Sequence, residues 1–332
     1  MPILDSRHDF GHAIETDTVW SESFYFNGFD PRSDSGLFTR IGVRPNEGTM
    51  DVGLSLWLPA GDLGEYRSMR PQHEMVDTVL EVGAVRYQML DAMRSWRLTM
   101  EAEVPVRPCT RGSASDHDAS VRLDLRFDSL TPAIGTDGRS AVRAGSAEAA
   151  AAANTTGKGH FEQAGSWTGW LEVDGERHVW SGGRGNRDRS WGPRRWSGPS
   201  MWRWFSINID DDLHFGGIQL GTGQGDLHRG WVFDGGRATS IAEWRVRTEV
   251  GDDGLTQKVV HLTVLDKKDR SYDLLGEVQR VADIGRTAGT LVNEGLTRWT
   301  YRDEDGATRT GYGISEYLHQ IDDSGTPVVA VV

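Results

Sequence analysis

The amino-acid sequence predicts an all-β chain assembled from antiparallel barrel or sandwich domains. Three observations carry that expectation: apolar and polar residues alternate with period two, glycine-containing turns separate the alternating runs, and tryptophan is abundant. Alternation is clearest over residues 51–58 (Asp-Val-Gly-Leu-Ser-Leu-Trp-Leu) and 119–127 (Ala-Ser-Val-Arg-Leu-Asp-Leu-Arg-Phe), which read as half-buried strands. Asp174-Gly175 joins the runs 167–173 and 176–180, and Asp253-Gly254 and Asp305-Gly306 lie between further runs. Asp-Gly supplies the positive φ angles of tight hairpins, so an antiparallel meander follows. The 41 glycines supply turns, while the 13 tryptophans offer large amphipathic rings that suit strands and ligand pockets. Residues 85–100 have some helical propensity, yet Trp96, Leu98 and Met100 alternate, and the stretch reads as one strand.

A chain of 332 residues exceeds the usual size of one domain, so two are expected, residues 1–195 and 196–332. Pro193 and Pro199 interrupt strand ladders at that point. Residues 135–159, rich in Gly, Ser and Ala, are expected to form a loop or a short helix over a barrel mouth. No internal repeat is visible.

Charge and cysteine usage exclude several functions. With 36 basic and 49 acidic residues the net charge is −13, which repels nucleic acid and anionic membrane surfaces. Cys109 is the sole cysteine, so neither an intrachain disulfide nor a cysteine-based metal centre can form, and a reducing compartment is expected. Asp5, Arg7, His8, Asp9 and His12 break up the first fifteen residues, unlike a signal peptide, and no window approaches the roughly 18 apolar residues of a membrane span. The expectation is a soluble, cytoplasmic protein in which the sequon at Asn154 stays unused; its oligomeric state is not set by the sequence.

No phosphate-binding loop, His-Glu-x-x-His or Gly-x-Ser-x-Gly motif is present, and the glycines at 221, 223 and 225 read as a turn. Asp210, Asp211 and Asp212 with His214 also read as a turn, because successive strand residues face opposite ways. Neither a metal nor a cofactor is expected.

The chemistry concentrates between Gly159 and Phe205, where seven of the tryptophans fall. If His160 begins a strand, His160 and Glu162 share a face. The same parity separates Asn186, Asp188 and Ser190 from Arg187, Arg189 and Trp191. A carboxyl in an apolar, Trp-lined hollow is raised in pKa by desolvation and can donate a proton, which nominates Asp188 as the acid. His160 and Glu162 would orient it or relay protons. The alternative is structural, with Asp188 neutralising Arg184, Arg187, Arg189 or Arg194 in a buried network. Trp191, Trp202 and Trp204 are core residues or cavity walls able to stabilise a cation through their ring faces. Tyr312 and Glu316 share parity in the strand-like run 311–318 and make polar cavity contacts if they point inward.

His160-Phe-Glu-Gln163 followed by Asn186-Arg-Asp-Arg-Ser-Trp-Gly192 resembles the carotenoid 1,2-hydratase and AttH-like family, also called hydroxyneurosporene synthases. Those proteins show Tyr-x-Asp-His-Asn-Trp-Gly preceded by a His-x-Trp pair. Asp188 stands at the proton-donating aspartate, His160 at the histidine and Trp191-Gly192 at the closing pair, whereas Asn186 replaces the tyrosine and Glu162 the tryptophan. The resemblance implies two lipocalin-like domains. It also implies protonation of an electron-rich alkene, giving a cation that water, a second alkene or proton loss then resolves. The expected function is thus a cofactor-independent hydratase, cyclase or isomerase acting on a hydrophobic isoprenoid, steroid-like or polyketide-like substrate. Asn186, Trp191, Trp202, Trp204, Tyr312 and Glu316 would line its pocket inside a barrel. A shape-directed pericyclase and a non-catalytic lipid carrier are the alternatives.

Overall fold

A computed structural model describes residues 3–109, 113–138, 157–195, 199–222, 225–287, 289–303, 305–329 and 331. Nineteen strands and two short 3₁₀ turns are found among them, with no α-helix, so the chain is all-β as its alternation predicts. No helix among the described residues is long and apolar enough to cross a membrane.

The first unit contains β1 (Trp20–Asp30), β2 (Ser35–Arg44), β3 (Thr49–Trp57), β4 (Asp62–Pro71), β5 (Val79–Val82), β6 (Val85–Asp91), β7 (Ser95–Pro108), β8 (His117–Ser129), β9 (Ile134–Thr136), β10 (Gly159–Val173) and β11 (Glu176–Pro193). They form one antiparallel sheet in the order β4-β3-β2-β1-β11-β10-β8-β7-β6-β5, with β9 against β10. A short β4–β7 pairing, Asp62 to Gly64 against Pro108 to Val106, ties the two sides of the sheet together. The second unit contains β12 (Met201–Asn208), β13 (Leu213–Thr222), β14 (Gly225–Asp234), β15 (Arg237–Val250), β16 (Gln257–Asp266), β17 (Ser271–Thr287), β18 (Thr290–Arg302) and β19 (Thr308–Gln320), closed in chain order into an eight-strand barrel. The architecture is the two-unit, lipocalin-like antiparallel fold. The chain passes between the two sheets from Pro193 to Met201; residues 196–198 lie outside the described residues, as do 139–156 of the Ala-rich segment.

Local chemistry explains the turns. Asp174 (φ 50°) and Gly175 (φ 86°) form the two-residue hairpin between β10 and β11, with the paired positive φ angles that match strand twist. Residues 85–100 are two strands rather than one, joined through Met93 at φ 62°. The Met93 N–H donates to the Asp9 carboxylate at 2.6 Å, a contact across 84 residues that local alternation does not encode.

Strand β8 alternates between buried and open residues, as expected of a sheet with one solvated face. β1 and β12 are buried along their whole lengths because each is packed on both sides. Phe24, Phe26, Trp96 and Trp167 belong to the interior of the first unit; Phe205, Trp244 and Trp299 belong to that of the second. A third apolar cluster, including Tyr25, Phe29, Phe38, Trp202, Trp204 and Leu318, joins the outer faces of the two units. Inside the first unit Gly28 is needed for close packing, since a Cβ on it would lie 2.4 Å from Nε1 of Trp167.

Candidate active site

Strand β11 separates its neighbours by parity. Arg187, Arg189 and Trp191 turn into the first unit, while Asp188 and Ser190 turn toward the second. Arg187 is bidentate to Asp9, at 2.7 and 3.1 Å, and its Nε donates to Gln163 at 2.8 Å; Arg189 pairs with Glu22 at 2.6 Å. Asp9 comes from the 3₁₀ turn Ser6–Asp9, which plugs this end of the sheet, and Trp191 stacks on His12 with centroids 3.9 Å apart. Ion pairs and aromatic rings therefore occupy the space in which the sequence places a ligand.

The cavity lies instead between the two units and measures about 590 Å³. Tyr25, Phe38, Arg40, His160, Glu162 and Asp188 wall it from the first unit; Trp202, Trp204, Trp231, Val292, Glu294 and Glu316 do so from the second. Its lining is mainly apolar, with the ionisable groups of Arg40, His160, Glu162, Asp188, Glu294 and Glu316 set into it. The expected barrel-interior pocket is corrected by the two faces of β11: ion pairs and rings fill the inward one, and the outward one faces the cavity.

His160 and Glu162 share a face of β10, as their spacing predicts, and Asp188 is the cross-strand partner of Glu162. Nε2 of His160 stands 3.6 Å from the Asp188 carboxylate and 3.7 Å from that of Glu162. Burial alone lowers the His160 pKa, but Asp188 and then Glu162 outweigh it, and the imidazole is raised above its ordinary value. Glu162 is buried, and burial raises its carboxyl pKa. It reaches across the interface to accept from the indole N–H of Trp204 at 2.7 Å and of Trp231 at 2.9 Å. Asp188 retains 19% side-chain exposure and opens onto the cavity. Three of its four sequence-nominated arginines are engaged elsewhere, Arg184 with Asp211, Arg187 with Asp9 and Arg189 with Glu22, whereas Arg194 donates to Ser190 Oγ at 3.0 Å and feels the charge of Asp188. The Arg194 guanidinium, buried and close to Arg40, is pushed down to about 10.

A second acidic pair faces this group. Glu294 and Glu316 are cross-strand partners on β18 and β19, with their carboxyls within hydrogen-bonding reach. Tyr25 donates its hydroxyl to Glu294 at 3.3 Å, and Trp202 donates its indole N–H to Glu316 at 2.5 Å. Burial, reinforced by the neighbouring carboxyl, raises Glu294 well above its ordinary value; burial raises Glu316 too. The charge on Asp188 reaches both.

The structure therefore brings together His160, Glu162, Asp188, Trp202, Trp204 and Glu316 from the sequence-nominated set. It places Trp191 against the N-terminal histidines and Tyr312 against Phe29, with centroids 4.8 Å apart; Asn186 is buried with its backbone N–H on Asn27 Oδ1 at 3.0 Å. None of these three lines the cavity. Tyr25, Arg40, Trp231 and Glu294 were not found from sequence, because strand pairing and docking of the two units bring them in from distant positions. Among the described residues no three His, Cys, Asp or Glu side chains are grouped to hold a metal ion. Asp210 is engaged by Arg309, Asp211 by Arg184 and His214 by Asn208 at 2.9 Å.

Solved structures share this fold across nearly the whole chain. An AttH-like protein from Nitrosomonas europaea matches with a TM-score of 0.64 at 16% identity, covering 94% of this chain and 98% of its own. Kievitone hydratase from Nectria haematococca matches at 0.60 and 15% identity, covering 96% and 94%, and CghA at 0.55 and 12%, covering 92% and 89%. No curated protein matches this chain significantly. At such identities the likeness establishes the fold. Over residues 5–321 the sequence matches the family described as Domain of unknown function (DUF7064), and the chain belongs to that family.

Proposed function

We propose that the chain is a cofactor-independent acid–base enzyme of the hydratase, cyclase or isomerase kind, acting on a carbon–carbon double bond of a hydrophobic substrate held between the two units. The observation that carries this reading is the His160–Asp188 contact of 3.6 Å opening onto a Trp-walled cavity between the two units. An imidazole raised by a neighbouring carboxylate holds its proton more firmly than a free one, so the donor in this reading is the His160–Asp188 pair and not Asp188 alone. The imidazolium proton passes to one alkene carbon, the π electrons form the new C–H bond, and the adjacent carbon becomes cationic. Trp202 and Trp204 present aromatic rings to that charge. Water then adds with loss of a proton, a second alkene closes a ring, or a neighbouring C–H gives up its proton; the imidazole takes back the proton released. Kievitone hydratase and CghA, with the same architecture, support this class of reaction.

The test incubates the purified chain with a panel of isoprenoid, steroid-like and polyketide-like alkenes in D₂O, followed by mass spectrometry. Deuterium bound to carbon, abolished in Asp188→Asn and His160→Ala, is the expected result. Recovery of every alkene unlabelled and unaltered, even where it binds, overturns catalysis in favour of carriage.

A further inference from the structure

One cation on the cavity wall has no role in the steps above. Arg229, half-buried on β14, lines the cavity; its backbone carbonyl accepts from the Trp244 indole at 2.8 Å, but among the described residues its guanidinium meets neither an acid nor any other acceptor. The other cations of the wall are matched. Arg40 and Arg44 face Asp51, Arg67 faces Glu65, Lys158 pairs with Glu15, and Arg194 feels the charge of Asp188. Burial lowers the Arg229 pKa with no neighbouring charge to offset it, yet a guanidinium stays charged. It is thus open enough to be reached from the cavity and dry enough to gain from a counter-ion.

Strand register fixes where this cation stands. Glu294, Glu316, Trp204, Ile218 and Arg229 are successive cross-strand partners over β18, β19, β12, β13 and β14, and all five line the cavity. At about 4.8 Å per strand, the row sets Arg229 about 14 Å along the sheet from Glu316, with Trp204 and Ile218 as an apolar step between them. Trp231, two residues further along the same face of β14, donates to Glu162, which stands 3.7 Å from His160. The cation is therefore apart from the Glu294–Glu316 pair and near the His160–Asp188 pair.

We propose that Arg229 binds a carboxylate of the hydrophobic ligand, holding an acid-terminated chain in the cavity with its double bond toward His160 and Asp188. This rests on the reading of the cavity as a substrate site and narrows the substrate class to a lipid acid. The planar guanidinium offers two parallel N–H donors that match the two oxygens of a carboxylate. A neutral ester keeps acceptors but brings no charge. A diphosphate brings more charge than one guanidinium offsets, into a cavity that also holds Glu162, Asp188, Glu294 and Glu316.

The probes are farnesoic acid, methyl farnesoate and farnesyl diphosphate, titrated against the full chain near neutral pH by intrinsic tryptophan fluorescence. The acid is expected to bind about tenfold more tightly than the ester, the worth of a hydrogen bond to a charged group. Arg229→Met should erase that preference and Arg229→Lys should keep part of it. Without ligand, Arg229→Met should denature no earlier than the parent, because it strands no partner. Equal affinities of acid and ester for the parent chain, tighter binding of the diphosphate, no saturable binding of the acid, or an undiminished preference in Arg229→Met would each overturn the anchor. Binding is read at equilibrium and so is separate from turnover. A preference for the acid without deuterium incorporation removes only the catalytic reading, and incorporation without the preference removes only the anchor.

Discussion

The two faces of β11 carry the same kinds of residue to opposite ends. Inward, Arg187 and Arg189 meet Asp9 and Glu22 in full ion pairs, each arginine 1% exposed. Outward, Asp188 joins His160, Glu162, Glu294 and Glu316, with acids outnumbering the cations that touch them. Paired buried charges hold a structure in one register but are chemically inert. Acids without matching cations are costly to bury and free to move protons. One strand thus serves as the keystone of the first unit and as the floor of the interfacial cavity.

The largest effect that separates the faces is on stability. Arg187→Met strands the Asp9 carboxylate in the interior and is expected to cost about 3–5 kcal/mol, read from chemical denaturation. If the loss were under about 1 kcal/mol, the inward face would not be the keystone described. Next comes activity: Asp188→Asn and His160→Ala should each lower turnover by about 10²-fold or more, while denaturation midpoints stay close to the parent. A large loss of stability in Asp188→Asn would erase the distinction between the faces.

The pH dependence should differ in sign. Burial alone would raise Asp9, but the charge and hydrogen bonds of Arg187 hold it below its ordinary value. Its contribution is therefore present above about pH 3.8 and is lost as pH falls through the lowered value. Glu294 is raised by burial and by Glu316, so its contribution is present below about pH 4.5 and is lost as pH rises through the elevated value. The stability of Glu294→Gln relative to the parent should accordingly grow with rising pH, whereas Asp9→Asn should differ from the parent least in acid. Denaturation curves at a series of pH values check both signs. The smallest effect is expected for Trp231→Phe, which removes one of two indole donors to Glu162 and should cost about 1–2 kcal/mol with little change in the first unit's core.

Much of this was legible in advance. Alternation and Asp174-Gly175 yield strands and a hairpin, because side-chain direction in a strand follows from position alone. The same parity separates Asp188 from Arg187 and Arg189 and aligns His160 with Glu162. Met93 was not legible, since its turn depends on Asp9, and neither was Glu294, whose strand offers no local sign of which face meets the other unit.

By itself, then, the sequence determined the strand class, the parity of each strand and the cluster of ionisable residues on β10 and β11, because these depend on neighbours a few positions apart. Only the tertiary structure decided that the cavity lies between the units rather than within one, and that Tyr25, Trp231 and Glu294 complete it. Docking two β-surfaces is settled by shape and by buried charge summed over the whole interface, and no short window of residues contains that sum.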